Sequence, residues 1–393
     1  MSIDDATIRE LIDLSDEHGV LSFYVGNTPE KAADPQPTAP IEIRNQIKQL
    51  KAKLASRDPD TARVVASRLG KLDAQLDALL DPKAAGRGRA LFVAVDRGET
   101  RTVSLQIPFR ERVVHNDAAY VRPLVAAYDE GREAGVLVVS RAGARVLAWA
   151  VGEVTELTSH DFELTDAQMA DQKSGPSPSN PEHPHHGFVN RERFEDRIDE
   201  NHHRFLRDVA DQVLGQAKEQ GWDRLVVSGP PKVRDVARDL LSGENGLRVV
   251  VADQSWEDAA PHQIADQAWP LLRSLHRERE HALVTTAVER ALGGGTGAVG
   301  LRRVCDALNE GRVSRLLYDS ELQLEGYRSA EDTVHPRVEG VVAQSDVPLR
   351  REPLFVERLI VKAITMGASV TPIEPDASDA LAPYEGVAAL LRW

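Results

Sequence analysis

The chain has 393 residues, of which 41% are hydrophobic, 5% aromatic and 28% charged, an ordinary globular mix with room for about two to four domains. A single cysteine, Cys305, excludes an intrachain disulfide and any zinc or iron–sulfur site built from several cysteines, and it fits a reducing compartment. The net charge of −14, from 48 basic and 62 acidic residues, argues against indiscriminate coating of nucleic acid but leaves room for a local basic patch.

The start, MSIDDATIRELIDLSDEHG, is acidic and amphipathic, without the basic beginning and apolar core of a signal peptide. No run approaches the roughly 18 apolar residues of a membrane span. The expected location is the cytoplasm, with neither membrane nor DNA as a partner.

In chain order, Val20 to Val25 reads as a short apolar strand, followed by a Pro-rich connector. Ile43, Ile47, Leu50 and Leu54 then fall at helical spacing. Pro59 disfavours helix at Asp58, and Asp60 or Thr61 is positioned to cap a second helix whose face carries Val65, Leu69, Leu72, Leu76 and Leu79. Ala90 to Asp96 returns as a strand, so a helical hairpin is expected to project from a sheet. Between Ile41 and Lys71 stand eight basic residues against three acids, a local balance of +5. A solvated helix face and a phosphate-binding surface are both open readings of that run.

Gly135 to Ser140 and Ala144 to Gly152 read as two strands joined by a tight Arg-Ala-Gly turn. Asp171 to Asn190, with four prolines, two glycines and almost no hydrophobes, reads as a long polar loop. From Arg191 a long helix follows. Asp223 to Pro231, VRDVARDLL and Leu247 to Asp253 then read strand, helix, strand, which implies a parallel pair. The last part offers a long helix from about Ile264 to Leu292, a glycine-rich helix–helix connector at Gly293 to Gly300, and alternating helices and strands up to VAALLRW. The expected fold class is α/β, in three consecutive modules.

No motif names a reaction. Gly293 to Gly300 lacks the Gly-Lys-Ser/Thr ending of a phosphate loop and follows a helix rather than a strand. Five of the 12 histidines, His183, His185, His186, His202 and His203, fall within 21 residues, but without the HExxH spacing of a zinc site. Cys305 sits in a helical pattern with Leu301, Val304 and Leu308 and reads as a small core residue. No catalytic residue, metal or cofactor is assigned.

The order of these segments resembles the archaeo-eukaryotic class-1 release factor and Pelota superfamily, specifically its bacterial branch, close to the ribosome hibernation factor Balon and its actinobacterial relatives. The resemblance rests on LSFYV, Ile41 to Leu80 and ALFVAVD in the first module. It continues in GVLVVSRAGARVLAWAVGEV and GFVNRERFEDRIDENHHRFLRDVADQV, and in VCDALNEGRVSRLLYD near the end. It implies a decoding-site-like domain at 1–132, a middle domain at 133–258 and a C-terminal α/β/α domain at 259–393. Two family motifs are missing. The loop from Gln172 to Asn190 has no Gly-Gly-Gln, its only glutamine being Gln172, and Ser56 to Thr61 stands at the hairpin tip where release factors carry NIKS. Both losses weigh against peptide release at stop codons.

What the resemblance implies is a protein without enzymatic activity that occupies the A site of idle or stalled 70S ribosomes, as a hibernation or stress factor. Arg44, Lys48, Lys51, Lys53, Arg57 and Arg63 would contact 16S rRNA of the small subunit. Lys173, His183, His185, His186, Arg191 and Arg193 would meet 23S rRNA in the large subunit. Elongation factor Tu is implied as a possible delivery partner. The alternatives are a peptidyl-tRNA hydrolase acting through the altered loop, and an RNA-binding adaptor that recruits another rescue factor.

Overall fold

A computed structural model of the chain describes residues 5–28, 38–162, 186–243, 246–336 and 348–393. The fold is mixed α/β, and the chain divides into two compact units, one of residues 1–131 with 276–393 and the other of residues 132–275.

In the first unit, helix α1 (Asp5–Ile12) leads into strand β1 (Ser15–Gly26). Helices α2 (Thr38–Arg57), α3 (Pro59–Leu69) and α4 (Asp73–Leu80) follow, then strands β2 (Gly88–Ala94), β3 (Thr100–Leu105) and β4 (Arg112–Ala118) and helix α5 (Arg122–Glu130). The four strands form an antiparallel sheet in the order β3-β2-β1-β4. Val20 to Val25 and Ala90 to Ala94 are its two buried central strands, as their largely apolar runs predict. β3 and β4 escape a reading based on hydrophobicity because they are edge strands with half their side chains in solvent.

The helical hairpin is present, but it does not project. Ile43 of α2 and Val65 and Leu69 of α3 are buried in one core with Leu21, Phe23, Leu91 and Val93 of the sheet, so the hairpin lies flat on the strands. The helix after the tip is capped by Asp58, not by Asp60 or Thr61. Pro59 takes the first helical position, and the extended Asp58 carboxylate accepts the N–H of Thr61 at 3.1 Å and its hydroxyl at 2.7 Å. The expected single second helix is two, α3 and α4, because Gly70 ends the first and the chain restarts at Asp73.

The C-terminal part of this unit contains the second half of α8 (Pro261–Leu292), followed by β10 (Gly297–Val299), α9 (Leu301–Asn309) and β11 (Val313–Asp319). Next come β12 (Gly326–Ser329), β13 (Val334–Pro336), β14 (Leu349–Glu352), α10 (Phe355–Thr365), β15 (Ser369–Ile373), α11 (Pro375–Ser378) and β16 (Val387–Leu391). One sheet runs β10-β16-β11-β15, with only the β11–β15 pair parallel, and a small antiparallel sheet runs β13-β12-β14. The glycine-rich segment is therefore more than a connector: Gly297 to Val299 pairs with Leu390 to Ala388 and forms a sheet edge. Cys305 is fully buried on α9, and burial pushes its thiol up to about 12.

The second unit holds a five-stranded sheet. Its strands are β5 (Ala134–Val139), β6 (Gly143–Ala150), β7 (Glu153–Asp161), β8 (Arg224–Ser228) and β9 (Arg248–Val251), in the order β7-β6-β5-β8-β9. β5, β8 and β9 run parallel, with helix α7 (Pro231–Leu241) crossing from β8 to β9, as the strand–helix–strand pattern predicts. Helix α6 (His186–Gln220) packs Leu206, Val209 and Val213 against one face. The start of α8 packs Ile264, Ala268 and Leu272 against the other face. α6 begins five residues before the expected Arg191, so residues 186–190 of the expected loop are helical.

Candidate nucleic-acid interface

Helix α2 carries five of the six cations assigned to the small subunit, and it sorts them. Ile43, Ile47, Leu50 and Leu54 form the stripe that faces the sheet. At 3.6 residues per turn, Arg44, Lys48 and Lys51 align on one flank of that stripe, and Lys53 and Arg57 align on the other. All five are exposed, and none makes an ion pair among the described residues. Arg63 lies on α3 with a guanidinium nitrogen 3.5 Å from Asp60. At 79% and 88% exposure that pair is weak and leaves the cation accessible.

The two flanks have different surroundings. Lys53 and Arg57 border a groove of about 810 Å³ that also takes in His18, His115, Arg350 and Arg351. Carboxylates already answer several of the groove's cations, with Arg350 3.4 Å from Asp117 and Arg351 2.5 Å from Glu325. Arg328 reaches both Asp117 and Glu352. His18 donates its backbone N–H to Asp96 at 2.8 Å and brings its ring to the same carboxylate, which together hold Asp96 below the usual carboxylate range. Lys53 and Arg57 make no ion pair among the described residues either, but they stand beside these carboxylates, whereas Arg44, Lys48 and Lys51 lie on the flank away from the groove. That flank suits phosphate contacts.

Of the residues assigned to the large subunit, Lys173, His183 and His185 lie outside the described residues. His186, Arg191 and Arg193 are described only as backbone of α6. The side chains become legible further along, where His202 lies 3.2 Å from the Ser140 carbonyl and meets Phe162 edge to face at 5.0 Å. His202 is thus tied to the sheet. Among the described residues no group of three or more His, Cys, Asp or Glu is arranged to hold a metal ion.

A second, smaller cavity of about 310 Å³ was not read from the sequence. Glu357 of α10, Arg112 of β4, Tyr120 and Arg122 line it. Glu357 is fully enclosed, and burial pushes its carboxyl up to about 7 against the opposing pull of the Val121 N–H and of Arg122 and Arg112. Arg112 donates to the Tyr120 hydroxyl at 2.7 Å, and Arg122 donates to the carbonyls of Leu322 at 2.7 Å and Ser320 at 2.5 Å. The available signal was an acidic residue inside the apolar run FVERLIVKAI, but no sequence pattern announces the strands that enclose it.

Residues 120–280 match the model of bacterial archaeo-eukaryotic release factor family 10. Over these residues the chain is similar to bacterial archaeo-eukaryotic release factors. The matched segment contains the whole five-stranded sheet of the second unit, and the hairpin of α2 and α3 lies before it. The chain is also similar to the uncharacterized protein YocB of Bacillus subtilis, 18% identical over 234 residues that cover 59% of this chain and 86% of that protein. It is 27% identical over 182 residues to the uncharacterized protein Rv2629 of Mycobacterium tuberculosis, covering 43% of this chain and 48% of that relative, about half its length. Among solved structures, ribosome-bound archaeal Pelota is 18% identical, with a TM-score of 0.41 over 78% of this chain and 77% of that one.

Proposed function

We propose that this protein docks in the A site of idle or stalled 70S ribosomes and holds them there as a hibernation or stress factor, without cleaving peptidyl-tRNA. The observation that carries the reading is the match of residues 120–280 to a release factor family in a chain that also exposes three aligned cations on α2, unpaired among the described residues. Release factors work on the ribosome. Lys/Arg contacts to phosphate supply the salt-dependent part of such docking.

In this reading the domains are 1–132, 133–258 and 259–393. Arg44, Lys48 and Lys51 meet 16S rRNA, and Lys53, Arg57 and Arg63 add contacts at the hairpin's other flank and tip. The segment with Lys173, His183, His185, His186, Arg191 and Arg193 enters the large-subunit centre beside 23S rRNA. Without Gly-Gly-Gln it fills that centre rather than directing water onto an ester. Elongation factor Tu is the delivery partner this reading implies.

The test is co-sedimentation of the purified protein with vacant and with translating 70S ribosomes over a salt series, with peptidyl-tRNA cleavage assayed in the same tubes. Stoichiometric, salt-dependent binding to vacant ribosomes without cleavage is expected. Cleavage would replace the reading with that of a hydrolase. An absence of binding under all salt conditions would remove the ribosome from it.

A further inference from the structure

The cavity above Glu357 has features of a binding site that the docking of α2 does not use. Glu357 is 3% exposed. Its Oε1 accepts the Val121 N–H at 2.7 Å and the Arg122 N–H also acts on the carboxylate, while Oε2 is buried without a partner in full hydrogen-bond geometry among the described residues. A buried acceptor left unpaired is costly, and native structures rarely tolerate one without a reason such as an absent ligand. At the cavity's edge, Arg112 is exposed and uses one terminal nitrogen on the Tyr120 hydroxyl, which leaves the rest of its planar fork available. Arg122 is committed, with both terminal nitrogens on backbone carbonyls. Between the two polar ends the wall is mixed, with Val113, Leu324, Leu354 and Val356 beside Gln46 and Gln323.

Charge and size narrow the occupant. Two guanidinium groups and one carboxyl leave a net positive cavity, which disfavours a simple cation. In its carboxylate form, above about pH 7, Oε2 is an acceptor and disfavours a simple anion, since it offers that anion no donor. At roughly 30 Å³ per water-sized group, about 310 Å³ holds a molecule of about ten such groups.

We propose that this cavity binds a small amino or hydroxy acid, with its carboxylate on the guanidinium of Arg112 and its amino or hydroxyl group donating to Oε2 of Glu357. The Arg112 fork matches a carboxylate in geometry as well as charge. Val113, Leu324, Leu354 and Val356 offer a short side chain an apolar part of the wall. The site is independent of ribosome docking and stands or falls by itself.

The experiment is thermal unfolding and isothermal titration calorimetry of the full chain with the proteinogenic amino acids, lactate and glycolate as probes, each at millimolar concentration. Propionate, which has the carboxylate but no donor, is the control. At least one probe is expected to raise the melting temperature and to bind about tenfold more tightly than propionate. Its affinity is expected to fall by about tenfold or more in Arg112→Ala, at an exposed position, and in Glu357→Gln, which keeps an acceptor for Val121. No shift with any probe overturns the proposal, as does wild-type affinity retained in either variant. Should Glu357→Gln fail to fold, the Arg112→Ala result and the propionate comparison decide.

Discussion

The carboxylate of Glu357 accepts the backbone N–H of Val121 across 236 residues of sequence, at 2.7 Å. It thereby ties α10 to the start of α5, where that N–H has no partner within its own helix. Burial also moves the titration of this carboxyl into the neutral range. Burial raises it to about 7, whereas an unfolded chain would titrate it near 4.3. Between those values the folded state keeps a proton that the unfolded state has lost. The stability contributed by this group is therefore complete at low pH and declines as pH rises towards about 7. The decline is on the order of 3 kcal/mol. Urea unfolding of wild type and Glu357→Gln between about pH 5 and 8 should show wild type losing stability relative to the variant over that window. A pH-independent difference would contradict the assignment.

Asp58 shows the opposite sign. The Thr61 hydroxyl and N–H hold its carboxyl below the usual range, so its contribution is present near neutrality and is lost in acid. Asp58→Ala is expected to lower the melting temperature, and Asp58→Asn to retain most of it, because the amide oxygen still accepts the Thr61 N–H. Equal losses in the two variants would show that the cap is not what Asp58 contributes.

Cys305 is enclosed, and its thiol is pushed up to about 12. The thiolate is the reactive form, so a chromogenic disulfide reagent near pH 8 should leave the folded protein untouched and titrate one thiol after denaturation. Prompt reaction of the native chain would reveal local opening of α9.

In the second unit, Trp149 is fully buried and stacks on Trp269 with ring centroids 5.3 Å apart and planes 16° apart. Trp149→Ala should destabilise that unit by about 3–5 kcal/mol. It should also remove the stacked-indole signal from circular dichroism, and retention of that signal would place its origin elsewhere.

The unequal surroundings of the two flanks of α2 give a test at the ribosome. Changing Arg44, Lys48 and Lys51 together to Glu should weaken co-sedimentation and flatten its salt dependence by about 2 to 3 in slope, at 0.7 to 0.9 per phosphate contact. An unchanged slope would move the docking surface away from this flank.

Much of the architecture could be read from residue order because burial leaves a periodic trace. The apolar runs Val20 to Val25 and Ala90 to Ala94 announce central strands, and Ile43, Ile47, Leu50 and Leu54 announce a helix with one buried face. The βαβ pattern from Arg224 to Val251 announces parallel pairing. Half-exposed edge strands such as Thr100–Leu105 and Glu153–Asp161 leave a much weaker trace, so they were missed. The cap at Asp58 was misplaced by two or three residues because its geometry depends on which residue turns extended ahead of Pro59.

The cations of α2 were legible as a cluster, since charge is local and additive along a chain. Their division into an open flank and a groove lined with carboxylates was not, because Asp117, Glu325 and Arg350 reach that groove from segments distant in sequence. Glu357 makes the same point. Composition and periodicity determined that α10 would be apolar and buried. Only tertiary packing decided that its single acidic side chain would be sealed beside Arg112 and Arg122, with one oxygen satisfied and one left open. Burial by segments remote in sequence sets the protonation of such a group, and no local pattern encodes it.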